Sequence, residues 1–104
     1  MENKTVFIKY PFILIHIPYR KKLSNESTIE FFRQLEKNEL VVVSKETKKS
    51  KYKISFRSNK YINVANIAAH FNGGGHIRAA GADATGSHSN LINKLIKHCD
   101  EAFK

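Results

Sequence analysis

The sequence predicts an α/β fold: a single small domain with a mixed β-sheet, flanking helices and a glycine-rich GGGH loop. Some segments alternate apolar and charged residues with the two-residue period of a strand, and others repeat apolar residues at helical spacing. The length of 104 residues suits one domain, and a hydrophobic fraction of 41% with 11% aromatic residues is typical of a globular protein.

The N-terminal part of the sequence is predicted to form strands followed by a helix. Val6–Ile8 and Phe12–Ile17 are apolar, and they form one broken strand or two short strands because Pro11 is tolerated only at an edge or a bulge. A helix is expected over Thr28–Lys37, where apolar residues recur at helical spacing after a capping box that begins at Ser27.

Two further strands are expected after this helix. Leu40–Ser44 is mostly β-branched and uninterrupted, which predicts a strand covered on both faces. Glu46–Ser50 predicts a hairpin connection to Lys51–Arg57, which alternates as a half-buried strand does. One face of that strand carries Tyr52, Ile54 and Phe56, and the other carries Lys51, Lys53, Ser55 and Arg57.

The C-terminal part predicts two helices on either side of a short strand. Asn63 can cap a helix over Val64–His70, which leads directly into the glycine-rich loop. Ala79–Ala84 is expected to be a tightly packed strand. Ser89 can cap a last helix over Asn90–Phe103, whose apolar residues form one stripe. This order of elements differs from that of a doubly wound dinucleotide-binding fold.

The most informative segment is Asn72–Gly81, which reads N-G-G-G-H-I-R-A-A-G. Gly73–Gly75 have no Cβ atoms, so a ligand can approach their backbone and their N–H groups can converge on an anion. His76 and Arg78 place donor or cationic side chains beside them. The segment is either a plain flexible turn or a cradle for an anion such as phosphate. It lacks the spacing of a dinucleotide fingerprint and of a Walker A loop.

The charge of the chain favours a polyanionic partner. Eighteen Lys and Arg residues against nine Asp and Glu residues give a net charge of +9, which attracts nucleic acids and nucleotides. The alternative is a basic surface that serves only solubility. Cys99 is the only cysteine, so an intrachain disulfide is excluded. The histidines and the two aspartates follow no recognisable metal-binding pattern, and we expect a binding domain without its own metal site.

The sequence predicts no membrane contact. The apolar stretch Val6–Ile17 is broken by Lys9 and Pro11, is too short to span a bilayer and is followed by no small-residue cleavage site. A cytoplasmic location is the resulting expectation.

Three strings taken together resemble a known family. They are I-S-F-R-S at Ile54–Ser58, N-V-A-N-I-A at Asn63–Ala68 and F-N-G-G-G-H-I-R-A-A-G at Phe71–Gly81. This combination resembles the DHH-associated domain, which forms the C-terminal half of many DHH-family phosphoesterases. The resemblance is strongest over Lys51–Gly86 and extends, by the order of elements, over Ser24–Phe103.

The resemblance implies roles for particular residues. In such enzymes an N-terminal domain carries the Asp-His-His motif that holds a pair of manganese ions, and the C-terminal domain grips the substrate. Arg57 is implied to contact a substrate phosphate, and His76 is implied to hydrogen-bond that phosphate near the metal ions. The other implied substrate-binding residues are Ser58, Gly73, Gly74, Gly75 and Arg78.

Residues 1–104 contain no Asp-His-His string. The resemblance therefore implies that the whole chain is the substrate-binding domain, with no cofactor of its own, and that manganese belongs to an absent catalytic domain of the same parent chain. The Met1 start suggests an excised fragment. The fragment alone is expected to be inactive.

The spacing of the motifs is most similar to that of the bacterial nanoRNase and 3′-phosphoadenosine 5′-phosphate phosphatase branch. That branch degrades short oligoribonucleotides and small nucleotides, which are the implied substrates. Three alternatives stay open: a cyclic di-AMP phosphodiesterase domain, a stand-alone RNA-binding or tRNA-binding module, and a domain whose glycine loop is only structural and which contacts a second copy in a homodimer.

Overall fold

The computed structural model describes residues 5–19 and 33–104. Within these ranges six strands form one sheet, in the order β1-β2-β3-β4-β6-β5. The strands are β1 (Thr5–Lys9), β2 (Phe12–Ile17), β3 (Leu40–Lys48), β4 (Lys51–Ser58), β5 (Gly74–His76) and β6 (Ala79–Thr85). The described helices are α1 (residues 33–37), α2 (Val64–Ala69) and α3 (His88–Glu101).

The sheet is mixed because one pair of neighbours runs parallel. β2 and β3 are parallel, whereas the other neighbouring pairs of the described sheet are antiparallel. A parallel pair requires a crossover connection, and α1 lies in the connection between these two strands. The predicted α/β fold with a mixed sheet and flanking helices is confirmed.

The two N-terminal strands form a hairpin. β1 and β2 pair in antiparallel register, and the cis peptide bond between Tyr10 and Pro11 lies in the turn between them. The sequence therefore contains two short strands rather than one broken strand. Of the helix predicted over Thr28–Lys37, residues 33–37 are helical. The rest of that helix, with the capping box at Ser27, lies outside the described residues.

The predicted end of the third strand is wrong. β3 continues through Lys48 instead of ending at Ser44, and its register with β4 shifts between Glu46 and Lys48. The ladder with β4 continues through Lys45, Glu46 and Lys48, so the connection to β4 shrinks to a tight turn. In that turn Ser50 has a φ of 61° and its N–H donates to the Glu46 carboxylate at 2.9 Å.

The predicted cap of α2 is correct and the predicted cap of α3 is not. Asn63 caps α2, as expected, because its side-chain oxygen accepts the N–H of Asn66 at 3.2 Å. The predicted cap of α3 is wrong: the extended backbone of Ser87 lets its Oγ accept the N–H of Asn90, so α3 begins two residues earlier than Asn90 and Ser89 lies inside its first turn. None of the described helices has both the length and the apolar character of a bilayer span.

The two faces of the sheet are covered differently. On the face we call the core face, α2 and α3 pack against the larger apolar cluster, which includes Phe12, Leu40, Phe56, Ile67 and Leu95. On the opposite face, which we call the open face, α1 contributes Leu35 to a smaller cluster with Ile13, Ile15 and Val41 of β2 and β3. Over β4, the open face carries exposed side chains, and the candidate site lies there.

Candidate functional site

The register of β4, β6 and β5 determines which side chains meet on the open face. The alternation in β4 is as predicted, with Lys51, Lys53, Ser55 and Arg57 exposed and the residues between them buried. Paired residues on neighbouring strands project from the same face. Arg57 pairs with Ala79, and Ala79 pairs with His76. Arg57 and His76 therefore stand at the two ends of one cross-strand row, with a single alanine between them.

The adjacent row on the open face has almost no side-chain atoms. Ser55 pairs with Gly81, and Gly81 pairs with Gly74. These residues and Ala79 form the floor of a depression of about 240 Å³, which Arg57 also lines. Since neighbouring strands lie about 4.8 Å apart, the backbones of β4 and β5 are roughly 10 Å apart. That distance leaves room for a phosphate group between Arg57 and His76.

The three consecutive glycines meet different requirements. A Cβ atom on Gly73 would overlap the carbonyl oxygen of Gly81, and a Cβ atom on Gly75 would lie 2.8 Å from the carbonyl oxygen of Ala79. Both positions need glycine so that β5 can approach β6, and Gly75 also has a φ of +148°. A Cβ atom on Gly74 would meet nothing within 4 Å. Space above Gly74 is thus left open, on the side that faces the depression.

The glycine segment is a short strand rather than the predicted loop. Gly74–His76 pair with β6 and form the outer strand of the described sheet. The N–H of Gly73 donates to the carbonyl oxygen of Ala68 at 2.9 Å, so it closes the end of α2 and is not a ligand donor. Alternate N–H groups of an edge strand point away from the sheet. Any backbone donors of Gly74–His76 that are left for a ligand therefore lie along the outer edge of β5, in the plane of the sheet.

The ring of His76 presents a defined hydrogen-bond donor. His76 is exposed, and its Nδ1 accepts the backbone N–H of Arg78 at 3.2 Å. A neutral imidazole that accepts at Nδ1 carries its proton on Nε2. The Nε2–H group is consequently the group that His76 offers to a ligand.

Two of the predicted site residues contact the protein backbone instead of the depression. Ser58 is only 5% exposed, and its Oγ donates to the carbonyl oxygen of Ile62 at 2.6 Å. The guanidinium group of Arg78 donates to the same oxygen at 3.1 Å. Both side chains hold the segment that follows β4. Of the predicted residues, Arg57, Gly74 and Gly75 line the depression, and His76 lies beside it, in the same cross-strand row as Arg57.

A buried carboxylate that the sequence analysis missed holds the same segment. Glu39 is 8% exposed, and its carboxylate accepts the backbone N–H groups of Lys60, Tyr61 and Ile62 at 2.7 to 3.0 Å. Burial acts to raise the pKa of Glu39, but these three donors and the nearby Arg78 outweigh it and lower the pKa. The only sequence signal is an acidic residue directly ahead of an apolar strand. Its partners lie 21 to 23 residues away and follow no pattern.

The electrostatic character of the site is cationic. Lys45 and Lys53 pair across β3 and β4. Lys53 lies two residues from Ser55 and four from Arg57 along β4, and Asp83 of β6 pairs with it in the same row. Within residues 5–19 and 33–104, no group of three or more His, Cys, Asp or Glu side chains could hold a metal ion. The charge of Arg57 and the Nε2–H donor of His76 are the groups in this row that suit an anion.

The sequence and the fold both match known proteins. The family model of the DHHA1 domain matches residues 21–104. Among solved structures, an exopolyphosphatase-related protein from Bacteroides fragilis superposes with a TM-score of 0.73 at 22% identity, over 95% of this chain and 31% of that chain. A pGpG-specific phosphodiesterase from Vibrio cholerae gives a TM-score of 0.64 at 9% identity, over 91% of this chain and 35% of that one.

A third similar structure is itself a single domain. The C-Ala domain of alanyl-tRNA synthetase from Aquifex aeolicus gives a TM-score of 0.62 at 15% identity, over 94% of this chain and 96% of that one. At such identities the likeness establishes a shared fold and no more. The chain spans about a third of the length of the first two structures and nearly all of the third.

Proposed function

We propose that this chain, which belongs to the DHHA1 domain family, is the substrate-binding domain of a phosphoesterase that hydrolyses short oligoribonucleotides or small nucleotides. The observation that supports this proposal is the row on the open face in which Arg57 and His76 lie on either side of Ala79, next to a glycine-floored depression that Arg57 lines. Because the floor has no bulky side chain, a phosphate group can reach both flanking side chains at once.

Each element of the site has a distinct proposed role. The planar guanidinium group of Arg57 binds two phosphate oxygens in a bidentate, charge-assisted manner. His76 donates from Nε2 to a phosphate oxygen, where negative charge develops during hydrolysis. Gly74 leaves the space that the ligand occupies. Glu39, Ser58 and Arg78 act indirectly, because they fix the segment that follows Arg57.

Hydrolysis itself is proposed to require a second domain. Two of the similar structures are about three times as long as this chain, and their names describe an exopolyphosphatase-related protein and a phosphodiesterase. We propose that a catalytic DHH domain of the same parent protein contributes the manganese ions, facing the open side of the sheet. In that arrangement the described residues of this domain bind and orient the substrate and provide no metal ligands.

A stand-alone RNA-binding module is the second candidate. It is favoured by the net charge of +9 and by the likeness to the C-Ala domain, which this chain matches over nearly the whole of both chains. An affinity that grows steadily with RNA length and falls steeply with added salt supports this candidate. Preference for a terminal phosphate on a dinucleotide supports the first.

The test is a titration of the chain with diadenylate that does or does not carry a 5′-phosphate. The phosphorylated ligand is expected to bind more tightly, and Arg57→Ala is expected to weaken its binding by about 10-fold or more, as loss of a charge-assisted hydrogen bond does. Lys53→Ala, which removes a cation from the same face of the same strand, serves as the control and should have a much smaller effect. Equal losses in the two variants would contradict a specific phosphate site at Arg57.

A further inference from the structure

A second cavity lies on the opposite side of the sheet, between α2 and α3. Its volume is about 480 Å³, within the range of about 300 to 1,000 Å³ that is usual for small-molecule sites. The residues that line it come from the segment before α2, from α2, and from the C-terminal end of α3. Because both helices pack on the core face, this groove is separate from the depression beside Arg57.

Aromatic and imidazole rings form much of the wall. The rings of His70 and His98 stack with their centroids 4.0 Å apart and their planes at 14°. Tyr61 and Phe103 meet edge to face at 6.3 Å and 86°. Tyr61 is 64% exposed, so much of its ring is available to a ligand. Such surfaces favour a flat, π-rich ligand.

The groove also contains a polar atom without a partner. Among the described residues, Nδ1 of His98 is the buried side-chain nitrogen or oxygen that makes no hydrogen bond. The Glu101 Oε1 atom lies 3.5 Å from it, outside hydrogen-bond geometry. Burial and the neighbouring His70 lower the pKa of His98, so its ring is neutral near pH 7. Buried polar atoms normally have partners, but this nitrogen has almost no accessible surface, so His98 contributes to the groove as a ring and not as a hydrogen-bond partner.

We infer that this groove binds a nucleobase, either of a free nucleotide or of single-stranded RNA. A nucleobase combines a flat face for the rings with a hydrogen-bonding edge for the exposed side chain of Asn66. Lys104 lies on the rim, where it can meet the attached phosphate. A metal ion does not fit, because the described residues contain no ligand group of three. This inference does not rest on the function proposed for Arg57 and His76.

The test is NMR titration of the full chain with AMP, with inorganic phosphate as the parallel probe. AMP is expected to shift the backbone signals of Asn66, His70 and His98, and to do so also in the Arg57→Ala/His76→Ala variant. Tyr61→Ala should weaken AMP binding to the groove by about 5-fold or more, the smaller loss measured when one stacking ring is removed. Tyr61→Phe keeps the ring and should retain binding.

Three outcomes would overturn the inference: no shift in the groove with AMP, equal shifts with inorganic phosphate, or equal affinity in the two Tyr61 variants. A ten-residue oligoadenylate distinguishes the sources of the base. If it binds the groove more tightly than AMP, the ligand is single-stranded RNA, and if it does not, the ligand is a free nucleotide. Failure here leaves the titration with phosphorylated diadenylate unaffected, because that experiment is read out through Arg57.

Discussion

Two cross-strand rows of paired residues run over β4, β6 and β5, one residue apart along each strand. One row lies on the core face and the other on the open face, and their side chains differ in size and polarity. In the core-face row, Phe56 pairs with Ala80 and Ala80 with Gly75, and side-chain size falls toward the sheet edge as the space under α2 closes. In the open-face row, Arg57 and His76 stand on either side of an alanine. Under the proposed function, the same strands therefore serve packing on one face and ligand binding on the other. Substitutions in the two rows should separate stability from binding.

The largest expected effect belongs to His76 on the open face. In the parent protein, His76→Ala should lower turnover by about 10² to 10³-fold, the usual loss when one preorganised donor to a developing charge is removed. His76 is exposed, so the substitution should leave the unfolding temperature and manganese binding nearly unchanged. Steady-state kinetics, thermal unfolding and a manganese titration on the same preparation measure the three quantities.

Arg57→Ala provides the contrasting variant for this experiment. Its contact with phosphate is made in the ground state as well as in the transition state, so it should raise KM more than it lowers kcat. If His76→Ala retains full turnover, the proposed role of Nε2–H is wrong. If both variants lose turnover together with unfolding temperature, the open-face row is structural.

The second prediction compares two glycines that lie next to each other. Gly73→Ala should lower the free energy of unfolding by about 1 to 3 kcal/mol, because the new methyl group overlaps the carbonyl oxygen of Gly81 and forces β5 away from β6. Gly74→Ala meets no atom within 4 Å and should leave stability within about 0.5 kcal/mol. Gly74→Ala should instead weaken binding of phosphorylated diadenylate, since its methyl group enters the space kept for the ligand.

Urea unfolding measures the first effect and ligand titration the second. The comparison between the two faces fails if Gly74→Ala destabilises the domain as much as Gly73→Ala does. It is also refuted if Gly74→Ala folds normally and binds ligand as tightly as the wild type, because the open space above Gly74 then has no function.

The third prediction concerns the buried carboxylate of Glu39, which holds the segment after β4. Glu39→Gln should lower the free energy of unfolding by about 1 to 3 kcal/mol, because the amide is uncharged and places an NH2 donor against the N–H of Lys60 in place of the accepting Oε1 atom. Glu36→Gln, an exposed glutamate three residues earlier, is the control and should have no measurable effect. Equal unfolding curves for Glu39→Gln and the wild type would refute the role given to Glu39.

Most of the strands and the position of Arg57 could be predicted because they follow from local patterns, whereas β5 and the end of β3 could not. The two-residue alternation of β4 alone places Arg57 opposite Phe56. The register that sets Arg57 beside Ala79 and His76 is non-local and was not predictable. For the same reason Ser58 and Arg78 were assigned to the ligand, although both donate to the carbonyl oxygen of Ile62. Motif position alone does not distinguish a ligand contact from a backbone contact.

The smallest expected effect is a pH dependence of the free energy of unfolding. It comes from His16, a histidine on the core face, in contrast to the exposed His76. His16 is 5% exposed, its Nδ1 lies 2.7 Å from the Oγ of Ser44, and its ring centroid lies 4.2 Å from that of His88. Burial, followed by the charge of His88, lowers the pKa of His16, and Glu46 opposes them. The unfolded chain therefore binds a proton at higher pH than the folded protein does. Stability from this group is complete above the ordinary histidine pKa of about 6.5 and declines as the pH falls below it.

The free energy of unfolding should accordingly fall between about pH 7.5 and pH 5, a range set by histidine titration. The buried carboxylate of Glu39, whose pKa is lowered, loses its contribution only at more acidic pH, so the two effects are separable. His16→Gln can keep a hydrogen bond to Ser44 but cannot titrate, and it should reduce the slope. Part of the slope should persist, because the pKa of His98 is lowered as well. Urea unfolding at a series of pH values measures both slopes, and a His16→Gln profile as steep as that of the wild type would assign the pH dependence to groups other than this core-face histidine.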